Sequence, residues 1–371
     1  MRSNYKKLGE YIRPVDVRNS DGSLGEDNLY GISVTKDFIV THANLVGVTF
    51  DSYKVVAPRQ FAYIPDTSRR GDKIAISLNS TGEKIIVSSI CTVFEIADED
   101  QLLPEYLMLW FMRPEFDRYA RFMSNGSARE VFDWDCMCGV EIPVPSIDVQ
   151  RKTVHDFQVI TDRITLLRKM NSINENLIKT LYRKVTKNSD REKKTVVVRD
   201  FCKIFTGKKD VNQAVPDGKY RFYSCSPIPV RSNDIIYEGQ AILVAGNGSY
   251  TGRTTFVDEA FDLYQRTYAL TPLNNECLEL FLIYAALQTD FQEKIQSKLH
   301  GSAIPYIVYG DLADFSFDVD TEYKKISQNI KVLIYSSLKN EFEINNLISI
   351  SNMMLSYISS SVGNIGRMKK E

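Results

Sequence analysis

The 371-residue chain has few groups that bind metals or relay protons. Its six cysteines (Cys91, Cys136, Cys138, Cys202, Cys225 and Cys277) form no CxxC pair, and its three histidines, His42, His155 and His300, lie far apart. Zinc binding is not expected from such a set, and scattered thiols fit a reducing compartment. No glycine-rich segment has the GxGxxG order or the terminal Lys-Ser/Thr of a phosphate loop. The nearest, AGNGSYTG at Ala245–Gly252, reads as a hairpin or exposed loop. The opening residues MRSNYKKLGEYI lack an apolar signal core, and the longest apolar stretch, near Leu278–Leu287, is too short to span a bilayer. A soluble, cytoplasmic protein with no membrane partner is expected. An excess of one charge is also missing, since 46 Lys and Arg stand against 47 Asp and Glu.

The sequence does contain a duplication. The run FDRYARFMSNGSA from Phe116 returns as FQEKIQSKLHGSA from Phe291, and Leu107, Phe116, Gly126 and Ser127 match Leu282, Phe291, Gly301 and Ser302 at a constant offset of 175 residues. So long a period indicates a pseudo-twofold molecule of two similar domains, not a solenoid. Two such domains suit a target that itself has two separated parts, such as a DNA duplex.

Charge follows the same division: −6 for residues 1–150, +7 for 151–195, −5 for 196–320 and +3 for 321–371. Local basic runs interrupt the acidic parts at Lys54–Lys84 and Arg199–Arg231. The runs YKVV, FAYIP, KIAIS, KIIVSSI and CTVFEI read as strands, as do AILVAGNGS, RTTFVDEAF and QRTYALTP in the second half. Helical stretches follow, near Pro104–Met123 and Leu278–Leu299. The expected fold is α+β or α/β, with two similar β-rich domains separated by two long, antiparallel coiled-coil helices.

Pro143 and Pro145 enforce an extended chain, and Ser146 is a plausible N-cap for a helix beginning near Val149. Phe157, Ile160, Ile164, Leu167, Asn171, Asn174, Ile178, Leu181 and Val185 then alternate steps of three and four. Ile326, Ile330, Leu333, Ser337, Asn340, Ile344, Leu347, Ser351, Met354 and Ile358 repeat that spacing. In an antiparallel pair the polar positions Asn171 and Asn174 would face Ser337 and Asn340 at an offset of 166, although the helix entries VQRKT and EYKKI align at 173, one heptad away. The alternative is that each helix packs only on its own domain. The domain expectation is 1–148 and 191–319 for the globular parts, 149–190 and 320–360 for the helices, and 361–371 for a tail.

Candidate nucleic-acid contacts in the first half are Lys54, Arg59, Arg69, Arg70, Lys73, Asn79 and Ser80. In the second they are Lys208, Lys209, Arg221, Asn247, Ser249, Tyr250, Arg253 and Arg266. Arg suits guanine and phosphate, and Asn suits adenine. Pro216-Asp217 with Glu238-Gly239-Gln240 faintly resembles a nuclease carboxylate pattern but reads more simply as a turn. No Asp/Asn-Pro-Pro-aromatic run or methyl-donor loop is present, so no catalytic residue is assigned.

The whole arrangement resembles the specificity subunit of type I restriction–modification systems. The resemblance is carried by YKVVAPRQFAYIP, IAIS and IIVSSICTVFEI, by NGSA and HGSA, by IPVPSIDVQRKTV, and by AILVAGNGSYTGRTTFV with QRTYAL. It implies a non-catalytic, cofactor-free DNA-binding protein in which each target-recognition domain reads one half of a gapped, asymmetric site on double-stranded DNA. The helices would act as spacer and as the dock for two modification subunits. S-adenosylmethionine would sit on those partners, and ATP-driven translocation and cleavage, with Mg, on restriction subunits. A coiled-coil adaptor without a DNA role and a nuclease are the rival readings. One departure is that the second helix entry, FSFDVDTEYKKIS, lacks the prolines of the first.

Overall fold

The computed structural model describes residues 5–41, 47–67, 70–124, 130–187, 192–274, 277–298 and 306–358. Its contacts divide into two units, one of Met1–Ile164 with Asn346–Glu371 and one of Thr165–Asn345.

In the first unit the β-branched and aromatic runs form short strands: Lys54–Val56, Phe61–Ile64, Ala75–Leu78, Ile85–Val87 and Thr92–Ile96. The main sheet is ordered Ile12–Val15, Thr92–Ile96, Phe61–Ile64, Ala75–Leu78, with every neighbour antiparallel. Phe61 and Phe94 face each other in register and stack at 4.8 Å. Phe111, at the end of helix α1 (Pro104–Phe111), meets Phe61 edge-on at 5.7 Å and ties the helix to the sheet. Proline opens both α1 and α2 (Pro114–Met123), where its missing N–H costs no helical bond. The short helix α3 (Trp134–Cys138) is capped by Asp133, whose carboxylate accepts the Cys136 N–H at 2.8 Å.

The strand Glu141–Pro143 then returns to pair with Tyr5–Lys7 and leads into α4 (Ile147–Thr186). The helix starts two residues before Val149, because the Ser146 carbonyl already accepts the N–H groups of Val149 and Gln150. Gln150 is fully buried and fixes this entry, accepting the Leu103 N–H at 2.9 Å while donating to the Gln101 and Pro145 carbonyls.

The second unit follows the same plan. Its sheet begins Cys202–Thr206, Thr267–Pro272, Tyr237–Ala245, Thr254–Leu263, so in both sheets these four strands stand in the chain order first, fourth, second, third. Helices α5 (Glu279–Leu287), α6 (Asp290–Lys298) and α7 (Tyr309–Ala313) follow, and Ser316–Asp320 returns to pair with Lys193–Val197 before α8 (Tyr323–Tyr357). Here Tyr220–Tyr223 and Val230–Ser232 widen the sheet to six strands. The first unit instead carries two ribbons, Tyr30–Ile32 with Phe38–Val40 and Lys54–Val56 with Ile85–Val87.

Along α4, Phe157, Ile164, Leu167, Ile178 and Val185 are buried, and Ile160 and Leu181 are half-buried. Along α8, Ile326, Ile330, Ile344, Ser351 and Ile358 are buried, and Leu333, Ser337, Leu347 and Met354 are half-buried. Within the second unit the two helices run antiparallel. Asn340 Nδ2 donates to Asn171 Oδ1 at 2.8 Å, Asn174 Nδ2 donates to Ser337 Oγ at 3.1 Å, and Asn171 Nδ2 donates to Glu341 Oε1 at 2.8 Å. The two polar layers therefore meet: the bonded pairs, 169 and 163 residues apart, are centred on the offset of 166, without the extra heptad. A shift by one heptad would set these amides against leucine and isoleucine, at the cost of unpaired polar groups. Asn340→Ala should lower stability by about 1–3 kcal/mol in urea unfolding. The double change Asn171→Leu with Asn340→Leu should recover most of that loss.

Candidate nucleic-acid interface

The glycines of AGNGSYTG build a closely packed loop. A Cβ on Gly246 would fall 2.4 Å from the Arg266 carbonyl oxygen, and Gly248 and Gly252 hold φ of +82° and +83°. Gly246 N–H donates to that same carbonyl at 2.9 Å, Gly252 N–H to Ala245 at 2.8 Å and Arg253 N–H to Tyr250 at 2.9 Å. The loop joins the strands Tyr237–Ala245 and Thr254–Leu263 and displays Ser249 and Tyr250 to solvent. Two further segments are knitted to it. Cys225 Sγ donates to Asn247 Oδ1 at 3.2 Å, and Asn247 pairs across an antiparallel bridge with Tyr306.

Several candidate cations are held inside this architecture. Arg253 Nη2 donates to the Ser226 carbonyl at 2.6 Å and Nη1 to Thr255 Oγ1, and burial pushes its pKa down. It staples the loop to the Ser224–Ser226 segment. Lys209 lies 2.5 Å from Asp234 and 2.7 Å from Asp262, which hold its pKa above the usual lysine value. Burial works against the Arg221 cation, yet Tyr223 and Glu259 keep its pKa raised. Lys208 and Arg266 are exposed, and they are brought close because Gln265 N–H donates to the Lys209 carbonyl at 3.0 Å.

The corresponding loop of the first unit follows Phe61–Ile64 and precedes Ala75–Leu78. Asp66 bridges Val131 as Asn247 bridges Tyr306, and the Phe132 N–H donates to the Pro65 carbonyl as the Ile307 N–H donates to Gly246. Two sequence-predicted clusters thus occupy one topological position in both sheets. Arg70 is half-buried and Lys73 is exposed there, while Arg69 lies outside the described residues, as do the two Gly-Ser-Ala segments.

Other candidates sit elsewhere. Arg59 adopts φ +67° and is clamped by Glu99 at 2.6 Å and Glu105 at 2.5 Å, which raise its pKa. Lys54 lies 3.2 Å from Asp16. Ser80 is exposed. Asn79 is a correction to the sequence reading. It is fully buried, with Nδ2 donating to the Val56 and Glu83 carbonyls and Oδ1 accepting from Thr81, so no base reaches it. The Pro216-Asp217 segment is a turn closed by Gly218 N–H to Val215, and Gln240 donates to Tyr335 of α8 at 2.6 Å. Among the described residues no cluster of His, Cys, Asp and Glu forms a metal cage, and no helix is long and apolar enough to cross a membrane.

Comparison with known proteins gives this geometry a context. Residues 190–319 match the family model of the Type I restriction modification DNA specificity domain. The segment of the second unit from residue 190 to 319 is thus similar to the DNA specificity domain of type I restriction–modification systems. Over 128 residues the chain is 37% identical to the Type I restriction enzyme EcoDI specificity subunit of Escherichia coli, an alignment covering 33% of this chain and 26% of that subunit. The chain thus spans about a quarter of that curated relative. The crystal structure of the S subunit of a type I restriction–modification system from M. genitalium matches with a TM-score of 0.62 over 95% of each chain, at 14% identity. The fold is that of a type I specificity subunit, and the resemblance read from the sequence stands.

The loop geometry separates two kinds of glycine. Gly246→Ala should displace the loop and lower stability by about 1–3 kcal/mol through overpacking. Gly248→Ala, with open space but positive φ, should cost only about 1–2 kcal/mol. Thermal unfolding of the two variants checks the order.

Proposed function

We propose that this chain is the DNA sequence-recognition subunit of a type I restriction–modification complex, with each β-rich unit reading one half of a bipartite, gapped site. The observation that carries the reading is the loop placed identically in two sheets of the same strand order but bearing different side chains, Asp66 opposite Val131 and Asn247 opposite Tyr306. Equal placement suits two readers of one duplex, and unequal chemistry suits two different half-sites.

The long helices support the second part of the proposal, the docking of two modification subunits. Beyond its buried stripe, α4 exposes Val159, Leu166, Met170, Ile173 and Leu177, and α8 exposes Val332, Phe342, Ile350, Met353 and Tyr357. Apolar residues repeated at helical spacing on a solvated face call for a covering partner. The chain itself is proposed to be non-catalytic and without a cofactor. S-adenosylmethionine, ATP and Mg would be bound by modification and restriction subunits.

Exchanging residues 1–148 for the corresponding segment of a relative should change the bases of one half-site only, read by methylome sequencing of cells that also express the modification subunit. Changes in both halves would overturn independent reading. Ile173→Glu should abolish co-purification of the modification subunit while leaving the circular dichroism of the chain unchanged.

A further inference from the structure

Two exposed aromatic side chains lie at the loop of the second unit, Tyr250 within it and Tyr306 bridged to Asn247. Tyr306 is 70% exposed and Tyr250 49%. The backbone beneath Tyr306 is fixed, because Ile307 is buried, its N–H donates to Gly246 at 2.8 Å and its carbonyl accepts the Tyr268 hydroxyl at 3.1 Å. Beside it, the Asn247 carboxamide is oriented by Cys225 through Oδ1, and its Nδ2 has no hydrogen-bond partner among the described residues. A rigid edge carrying an exposed aromatic ring, an oriented amide and the neighbouring cations Lys208 and Arg266 is suited to a nucleic-acid groove. A protein interface would be expected to carry fewer lysines.

We infer that Tyr306 and Asn247 are the specificity-determining pair of the second unit, with Cys225 as the positioning residue for the amide. The inference rests on the DNA-reading function proposed above. Asn247 offers a donor to adenine N7 and the remaining lone pair of its oxygen to adenine N6, the pairing that distinguishes adenine in the major groove. Tyr306 lays its ring against the edge of the adjoining base pair, where a thymine methyl group offers the apolar contact available in the major groove. Lys208 and Arg266 hold the backbone and carry no sequence information. The first unit has Val131 and Asp66 at these positions, so its half-site is read by other chemistry.

The test uses the full chain assembled with its modification subunits, and selects bound duplexes from a random pool for Asn247→Ala, Tyr306→Ala, Tyr306→Phe, Cys225→Ala and Lys208→Ala. Asn247→Ala should relax one adenine position by about 5- to 150-fold in discrimination. Tyr306→Ala should weaken specific binding by a similar factor of about 5 to 150, largely restored in Tyr306→Phe. Cys225→Ala should relax the same adenine position to a smaller degree. Lys208→Ala should lower affinity evenly across sequences. Thermal melting of each variant separates these effects from unfolding. If wild-type and both alanine variants of the pair select the same site with equal affinity, the inference falls and the DNA-reading function stands. If Tyr306→Ala loses the modification subunit instead, the edge is a protein interface and the inference also falls. If the wild-type complex selects no sequence at all, the function proposed above fails first, and this inference with it.

Discussion

Each unit depends on one backbone constraint: the strand that begins it is paired, antiparallel, with the strand that ends it. Tyr5–Lys7 pairs with Glu141–Pro143, and Lys193–Val197 pairs with Ser316–Asp320. These closing strands run directly into α4 and α8, so the direction in which each long helix leaves its unit is set by a short ladder of backbone hydrogen bonds. In the first unit, buried Gln150 reinforces that departure with three more bonds. Because the closing strands also bracket the main sheets, the loops that follow the central strands are held by the same closure. A loop meant to read bases must be positioned to within fractions of an ångström, which requires a scaffold rigid at its ends.

The long helices add a second constraint. An apolar stripe alone would allow sliding by whole heptads, since leucine and isoleucine fill one another's places at small cost. The hydrogen bonds between Asn171 and Asn340 and between Asn174 and Ser337 select one register within the second unit. The register was not legible in the sequence, since the helix entries VQRKT and EYKKI align one heptad away, but the polar layers were, because polar residues broke a regular stripe at matched places. The long helices and the strand runs were legible for the same reason, as both rest on local periodicity. The strands Tyr5–Lys7 and Ile12–Val15 were not, since one is charged and the other contains Pro14 at the sheet edge.

The candidate site was legible in its location more than in its residues. Counting basic residues led to both loops, but it could not separate cations already committed to acids distant in sequence. Glu99 and Glu105 lie 40 and 46 residues from Arg59, and Asp262 lies 53 from Lys209. Asn79 looked suited to a base because of its type, yet it lies fully buried and its amide serves the backbone of its own turn. Tyr306 was overlooked for the opposite reason. Aromatic residues are usually assigned to cores, and only the fold reveals a ring left in solvent on a locked backbone.

These pairings also bear on how the protein would hold DNA under the proposed function. Arg59, Lys209, Arg221 and Arg253 are each tied to carboxylates or to carbonyl and hydroxyl oxygens of their own unit. A cation already neutralised or confined releases few counterions on meeting a phosphate, and counterion release supplies most non-specific affinity for duplex DNA. Both globular parts are net acidic as well. Under the proposed function, a chain built this way would hold DNA weakly without help and would rely on its loops to distinguish sequences. Division of labour follows from the charge distribution: partner subunits that clamp phosphates would supply affinity, and the two loops would supply choice.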